Sequence, residues 1–197
     1  MEKLSHKIGD DLVRSGVVKA EDAEVYIYGI NQILAYVLNA SSSLIIGLIF
    51  GVTFEIVIFM AAYIPLRSFA GGYHAKTPLR CYIFSVIMLI VVSIGLKYLS
   101  VSEWVYYAVL LVSALVVIVL SPVEDRNKPL DEIEHKVYKK RSIFIAAAEI
   151  LIGLAFKLAG LNNLFVAVVY SFAALSLMLV AGKVKNCRMT ADFPNDD

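Results

Sequence analysis

The stretch that decides the fold is Cys81 to Leu99, CYIFSVIMLIVVSIGLKYL, nineteen residues with one charge, Lys97, near the far end. A bilayer core about 30 Å thick needs about 20 mostly apolar helical residues to cross it. Five more blocks of comparable character surround this one. They run from about Tyr26 to Gly51, Thr53 to Leu66, Trp104 to Leu120, Ile143 to Ala159 and Leu164 to Ala181. The second is the shortest, so a tilted or re-entrant segment is an alternative there. Across the 197 residues, 59% are hydrophobic and the mean hydropathy is +0.75, where a soluble domain holds roughly 45–50% apolar residues. The expected architecture is an all-α integral membrane protein of about six transmembrane helices. It forms one domain: an interfacial segment over 1–24, a transmembrane bundle over 26–182 and a cytoplasmic tail over 183–197.

The N-terminal segment has no compact apolar run before a small-residue cleavage site, so it does not read as a signal peptide. Leu4, Ile8 and Leu12 recur every four residues while Lys3, Lys7 and Asp10 fall elsewhere. That spacing predicts an amphipathic helix lying on the membrane surface; a short polar tail is the plainer alternative. With six spans, sixteen of the 18 Lys and Arg residues fall on one side, leaving only Lys97 and Lys157 on the other. Basic loops stay cytoplasmic. Both termini and both larger polar loops are therefore expected in the cytoplasm, in a multi-pass plasma membrane protein with lipids as neighbours.

Several chemistries have no support. The three histidines and two cysteines are scattered, without four-ligand zinc spacing, and no metal or other cofactor is expected. Gly71-Gly72 is a turn signal, not a phosphate-cradling loop. The net charge of +1 and the sorting of charges by side give no basis for nucleic-acid binding. A disulfide between Cys81 and Cys187 is not expected in a reducing compartment.

The densest chemistry lies in Arg67-Ser68-Phe69-Ala70-Gly71-Gly72-Tyr73-His74-Ala75-Lys76-Thr77-Pro78-Leu79-Arg80-Cys81. Thr77 and Pro78 read as a helix start, Thr as the cap and Pro at the first helical position. Cys81 then falls in or just past the first turn. The positive end of the helix dipole, with Lys76 and Arg80 nearby, makes surroundings that favour a thiolate. His74 is seven residues upstream, roughly 10 Å on a straight helix. Pro78 disfavours a continuous helix and Gly71-Gly72 lets the chain bend, so His74 is able to fold back toward Cys81. A cysteine beside a histidine base is the core of a thiol nucleophile site. A small packing cysteine and a solvated loop histidine remain the alternatives on spacing alone.

Other polar residues also carry two readings. Pro122 to Leu130, PVEDRNKPL, is split between contact with an extended peptide, through Asp125, Arg126, Asn127 and Lys128, and a turn with capping residues. Glu132 to Arg141 reads as a solvated helix. Glu149, six residues into the fifth block, is either a functional intramembrane carboxylate or one close enough to the surface to stay hydrated. Glu55 is expected to reach the interface. Gln32 and Asn39 are expected to hydrogen-bond between helices. Cys187 has no assigned part.

The segment Arg67–Cys81, with Gly-Gly-x-His and a Cys seven residues after the His, and the segment Pro122–Leu130 together resemble the accessory gene regulator B family (AgrB). These are the membrane-embedded cysteine endopeptidases of peptide quorum sensing. The span pattern and length fit as well, so the resemblance covers nearly the whole chain. It implies that Cys81 is the nucleophile and His74 its base. It implies removal of the C-terminal tail of a short amphipathic propeptide through an acyl-enzyme thioester, then closure of a thiolactone or lactone ring. Backbone N–H groups at the start of the third span, with Lys76 or Arg80, are the expected oxyanion donors, and Arg67 either binds the propeptide's acidic residues or anchors the span. A homodimer is compatible with all of this. A small transporter or a non-enzymatic scaffold is the rival class; a transporter would call for more polar groups at mid-membrane than Gln32, Asn39 and Glu149.

Overall fold

The computed structural model describes residues 2–73, 77–124 and 130–192, with side chains described from Leu4 to Cys187 within them. Seven α-helices account for most of these residues: α1 (Glu2–Arg14), α2 (Ala23–Phe50), α3 (Thr53–Ala70), α4 (Pro78–Tyr98), α5 (Glu103–Leu120), α6 (Glu132–Leu158) and α7 (Asn162–Asp192). Five of them, α2, α3, α4, α5 and α7, are long and apolar enough to cross a membrane. The chain separates into two compact units, Met1–Ile45 and Ile46–Asp197.

In the first unit, α1 is the expected amphipathic helix. It ends where the N–H groups of Val17 and Val18 both reach the Leu12 carbonyl, at 3.2 and 3.3 Å. Among the described residues, Asn39 makes its hydrogen bond within its own helix. Its Nδ2 donates to the Ala35 carbonyl one turn back on the same helix, at 2.8 Å. A local carbonyl at i−4 is always within reach of an Asn side chain. Gln32 is exposed.

In the second unit α7 is the central helix, packing against α3, α4, α5 and α6. Half of its apolar window is buried, against a third or less in the other spans. Phe165, Val168, Val169, Phe172, Leu175 and Leu179 form its buried stripe. The facing stripes repeat at helical intervals: Ile56, Phe59, Tyr63, Leu66 and Ala70 on α3; Leu110, Ala114 and Val117 on α5; Ser142, Ala146, Glu149 and Gly153 on α6. Small residues let the backbones approach; a Cβ on Gly153 would sit 3.2 Å from Val168. The outward faces keep large apolar side chains exposed, among them Phe54, Val91, Leu111 and Val119, as a lipid-facing surface requires.

Two expectations change. The second apolar block is not short: α3 runs four residues past Leu66 and straight through Pro65, giving 18 residues and about 27 Å of rise. The fifth block does not begin a helix of its own. The charged Glu132–Arg141 stretch and the apolar one form a single helix, α6, opened by a capping box in which Asp131 and Glu134 bond each other's backbone N–H. Its most apolar 18 residues, Arg141–Leu158, carry Arg141, Glu149 and Lys157. That charge load is why α6 falls outside the five candidate spans.

Candidate functional site

At the end of the bundle where α3 stops and α4 starts, the Thr77–Pro78 signal behaves as read. Thr77 is extended, Pro78 opens α4, and Thr77 Oγ1 accepts from the Arg80 N–H at 3.4 Å. The Cys81 N–H bonds the Thr77 carbonyl at 3.1 Å. Cys81 therefore sits in the first turn of α4, half-buried and with a free thiol; Cys187 is free and exposed. Arg80 points into the open.

The Cys81 side chain opens on a cavity of about 60 Å³ lined by Tyr63, Arg67, Tyr73, Cys81, Phe84, Ser85, Met88 and Met178. Arg67 organises its polar wall. One guanidinium nitrogen donates to the Tyr63 hydroxyl at 3.4 Å and the other to the Tyr73 carbonyl at 2.8 Å. Tyr63 is buried and its ring stacks on Phe59 at 5.5 Å. Ser85 Oγ donates to the Cys81 carbonyl at 3.1 Å. Phe84, Met88 and Met178 supply the apolar wall.

The segment entering the site from α3 is held on every side. Gly71 takes a backbone conformation with φ +75° that L side chains rarely adopt, and a Cβ there would collide with the Val123 carbonyl. Val123 donates its N–H to the Ala70 carbonyl at 2.9 Å and accepts from the Gly72 N–H at 3.3 Å. The Tyr73 N–H reaches the Met178 carbonyl of α7 at 2.9 Å. Its ring lies edge-on to Phe84 and under the Lys185 ammonium. On α7, Gly182 passes so close that a Cβ would stand 2.9 Å from the Tyr73 nitrogen.

Val123 is itself fixed from both directions. Asn186 Nδ2 donates to the Glu124 carbonyl at 2.8 Å. Lys139, on the first turns of α6, donates to the carbonyls of Ile118, Val119 and Ser121 at the end of α5, where a cation complements the helix dipole. Ser121 and Ser142 share a buried hydroxyl contact of 2.9 Å.

The structure thus brings Cys81 and Arg67 together on one cavity and leaves Arg80 outside it. His74, Lys76, Asp125, Asn127 and Lys128 lie outside the described residues. Glu149 is buried on α6 among Ser142, Ala146 and Gly153 and does not line the cavity; its Oε2 has no hydrogen-bond partner among the described residues. Glu55 accepts from Asn163 at 3.3 Å at the opposite end of α3. Sequence reading passed over Tyr63, Tyr73, Ser85 and Val123. The Tyr63–Arg67 pair had a signal, since residues four apart share a helix face. The Val123 contact had none, being a pairing of two turns distant in sequence.

Fold and site define a class: a helical membrane protein with a thiol set in a partly polar cavity at one end of its bundle. The sequence pattern described as Accessory gene regulator B matches residues 2–180. The chain belongs to the accessory gene regulator B family. Among relatives, it is 34% identical over 116 residues to Protein FsrB of Enterococcus faecalis, covering 58% of this chain and 48% of that one. It is 32% identical over 89 residues to Accessory gene regulator protein B of Staphylococcus saprophyticus, covering 45% and 47%. A Putative AgrB-like protein 2 of Clostridium perfringens matches over 74% of this chain and 72% of its own length at 25% identity. The chain spans about half the length of the first and second of these three. No solved structure matches it.

Proposed function

We propose that the chain is a membrane cysteine endopeptidase that cuts the C-terminal tail from a quorum-sensing propeptide and closes the retained part into a ring. Cys81 is the nucleophile: its sulfur attacks the scissile carbonyl, and the thiol proton passes to His74. His74 then protonates the leaving amine as the C–N bond breaks, leaving a thioester on Cys81. A Cys or Ser side chain of the bound peptide attacks that thioester, releasing a thiolactone or lactone and restoring the thiol. No metal or cofactor enters the balance.

The single observation that carries this reading is the cavity in which the Cys81 thiol meets the Tyr63–Arg67 pair. His74 directly follows Tyr73, whose backbone is bonded to α7 on one side and to Arg67 on the other, so the chain enters its base from an anchored residue. Membership of the family supports the same chemistry. Arg67, Lys76, Asp125, Asn127 and Lys128 are proposed to meet the propeptide.

We also place α6 across the membrane, in a multi-pass plasma membrane protein with both termini and the Cys81 end cytoplasmic. Arg141 and Lys157 sit at the two ends of its apolar stretch, where long cations reach water, and only Glu149 lies between them. The partners are the propeptide, lipid and, in a dimer, a second copy.

The test is the covalent intermediate. With its propeptide, the wild-type protein is expected to show an adduct equal in mass to enzyme plus N-terminal fragment, released by neutral hydroxylamine. Cys81→Ala and Cys81→Ser should form none and cleave nothing, because a hydroxyl is far less acidic than a thiol, and Cys187→Ala should behave as wild type. Cleavage by Cys81→Ala, or an adduct on Cys187, rules the mechanism out.

A further inference from the structure

An attack on a carbonyl needs a hydrogen-bond donor waiting where the oxyanion forms. The start of α4 is the obvious source, but the Leu79 N–H belongs to an exposed residue that does not line the cavity, and the other donors are spent. Pro78 has no N–H. The Arg80 N–H is bonded to Thr77 Oγ1 and the Cys81 N–H to the Thr77 carbonyl. Inside the cavity the count continues, with Arg67 placing two of its five N–H groups on Tyr63 and Tyr73. Ser85 donates to the Cys81 carbonyl, the Tyr73 N–H donates to Met178, and Phe84, Met88 and Met178 have no donor. Tyr63 is different. Its oxygen accepts from Arg67, so the lone pair faces a cation and the O–H hydrogen is left over, with no acceptor among the described residues.

We propose that Tyr63 is a further catalytic residue, whose hydroxyl donates to the carbonyl oxygen as Cys81 attacks. This rests on the reading of Cys81 as the acyl-accepting thiol. As the C–S bond forms, the C=O electron pair moves onto oxygen and the Tyr63 O–H receives it as a hydrogen bond. When the C–N bond breaks the pair returns, and Tyr63 ends the step with its proton. Arg67 holds the phenol by its oxygen and strengthens it as a donor. The stack on Phe59, with the rings 10° from parallel, fixes the ring before substrate arrives. Such preorganisation is what makes a donor effective in a site that excludes water. Tyr73 also lines the cavity but is only half-buried, and it is the competing donor.

The experiment separates acyl transfer from simple thiol reactivity, using the full chain in detergent with Cys187→Ala as background. p-Nitrophenyl acetate acylates a thiol through an oxyanion; iodoacetamide alkylates the same sulfur by displacement, without one. Tyr63→Phe keeps the ring and removes only the O–H. It is expected to slow acylation of Cys81 at least about tenfold, and propeptide turnover about 10²-fold, the cost of losing one oxyanion donor. Alkylation should proceed at the wild-type rate, and Tyr73→Phe should not reproduce the selective loss of acylation. The proposal is overturned if Tyr63→Phe slows neither reaction, if it slows both equally, or if the selective loss follows Tyr73→Phe instead. Acylation that persists in Cys81→Ala is a separate failure, of the nucleophile assignment itself.

Discussion

The two ends of the α3–α7 bundle solve the problem of turning the chain in opposite ways. At the Glu103 end the turns are short and their polar groups are used up on one another. Lys157 binds Glu103 at 2.5 Å and Asn162 at 2.8 Å, and Asn163 binds Glu55 at 3.3 Å. At the Cys81 end the turn is held mainly by backbone, through Val123, Met178 and the close approach of Gly182. Two of its side chains, Tyr63 and Arg67, face the cavity beside the thiol. Polar groups that satisfy each other make a closed joint. Polar groups arranged around a space, on a turn held mainly by backbone contacts, make a place for something else to bind.

The largest effect expected from this contrast is at Gly71. Gly71→Ala imposes both the unfavourable φ and the collision with the Val123 carbonyl, a strain of order 1–3 kcal/mol at a segment fixed on all sides. Propeptide cleavage should fall to near background while the protein still inserts. Gly182→Ala, which presses on the Gly72–Tyr73 backbone from α7, should lose less, because its closest approach is 2.8 Å against 2.1 Å at Gly71 and no unfavourable φ is added. Cleavage assays on membranes with matched protein levels measure both. Wild-type turnover in Gly71→Ala would show that the clamp is not part of the site.

What was legible in the sequence follows the range of the interactions. Five of the six expected spans were legible because hydrophobic length is a local property. The α4 start was legible because Thr-Pro is a local signal, and it placed Cys81 in or just past the first turn, where the structure has it. The continuity of α6 was locally encoded too, in Asp131 and Glu134 as a capping box, but a charged segment before an apolar one reads more readily as two elements. Cavity membership was only half legible. Arg67 was named, and Tyr63 one turn earlier was not, because an aromatic in an apolar span looks like packing until its hydroxyl is seen against a guanidinium. The Val123 and Gly182 contacts join residues 52 to 110 positions apart, and a single sequence carries no trace of such pairings.

Glu149 lies between the two ends and tests whether the contrast is complete. It is buried, with one oxygen unpartnered among the described residues, yet it lines no part of the cavity. Glu149→Gln keeps its size and is expected to leave cleavage little changed in rate and in pH profile. A marked fall in turnover in a protein that inserts normally would extend the working site along α6 into the middle of the bundle.

The smallest effect should come from the closed joint. Glu103 is largely exposed, with 68% of its side chain open, while Lys157 is 18% open. An ion pair with one partner in solvent contributes about 0.2–1 kcal/mol, and Lys157 keeps Asn162 when Glu103 becomes Gln. Glu103→Gln should therefore lower the thermal midpoint slightly, more at low salt than at high, since screening weakens the pair already. Gly160 offers the companion test. Its φ of +79° matches that of Gly71, but a Cβ there meets nothing within 4 Å. Gly160→Ala should cost about 1–2 kcal/mol of backbone strain and no turnover. The two glycines share a conformation and differ in what surrounds them. Equal loss of cleavage in Gly160→Ala and Gly71→Ala would mean that turn strain alone governs activity. Loss confined to Gly71→Ala assigns it to the clamp around Val123 and so to the thiol's end of the bundle.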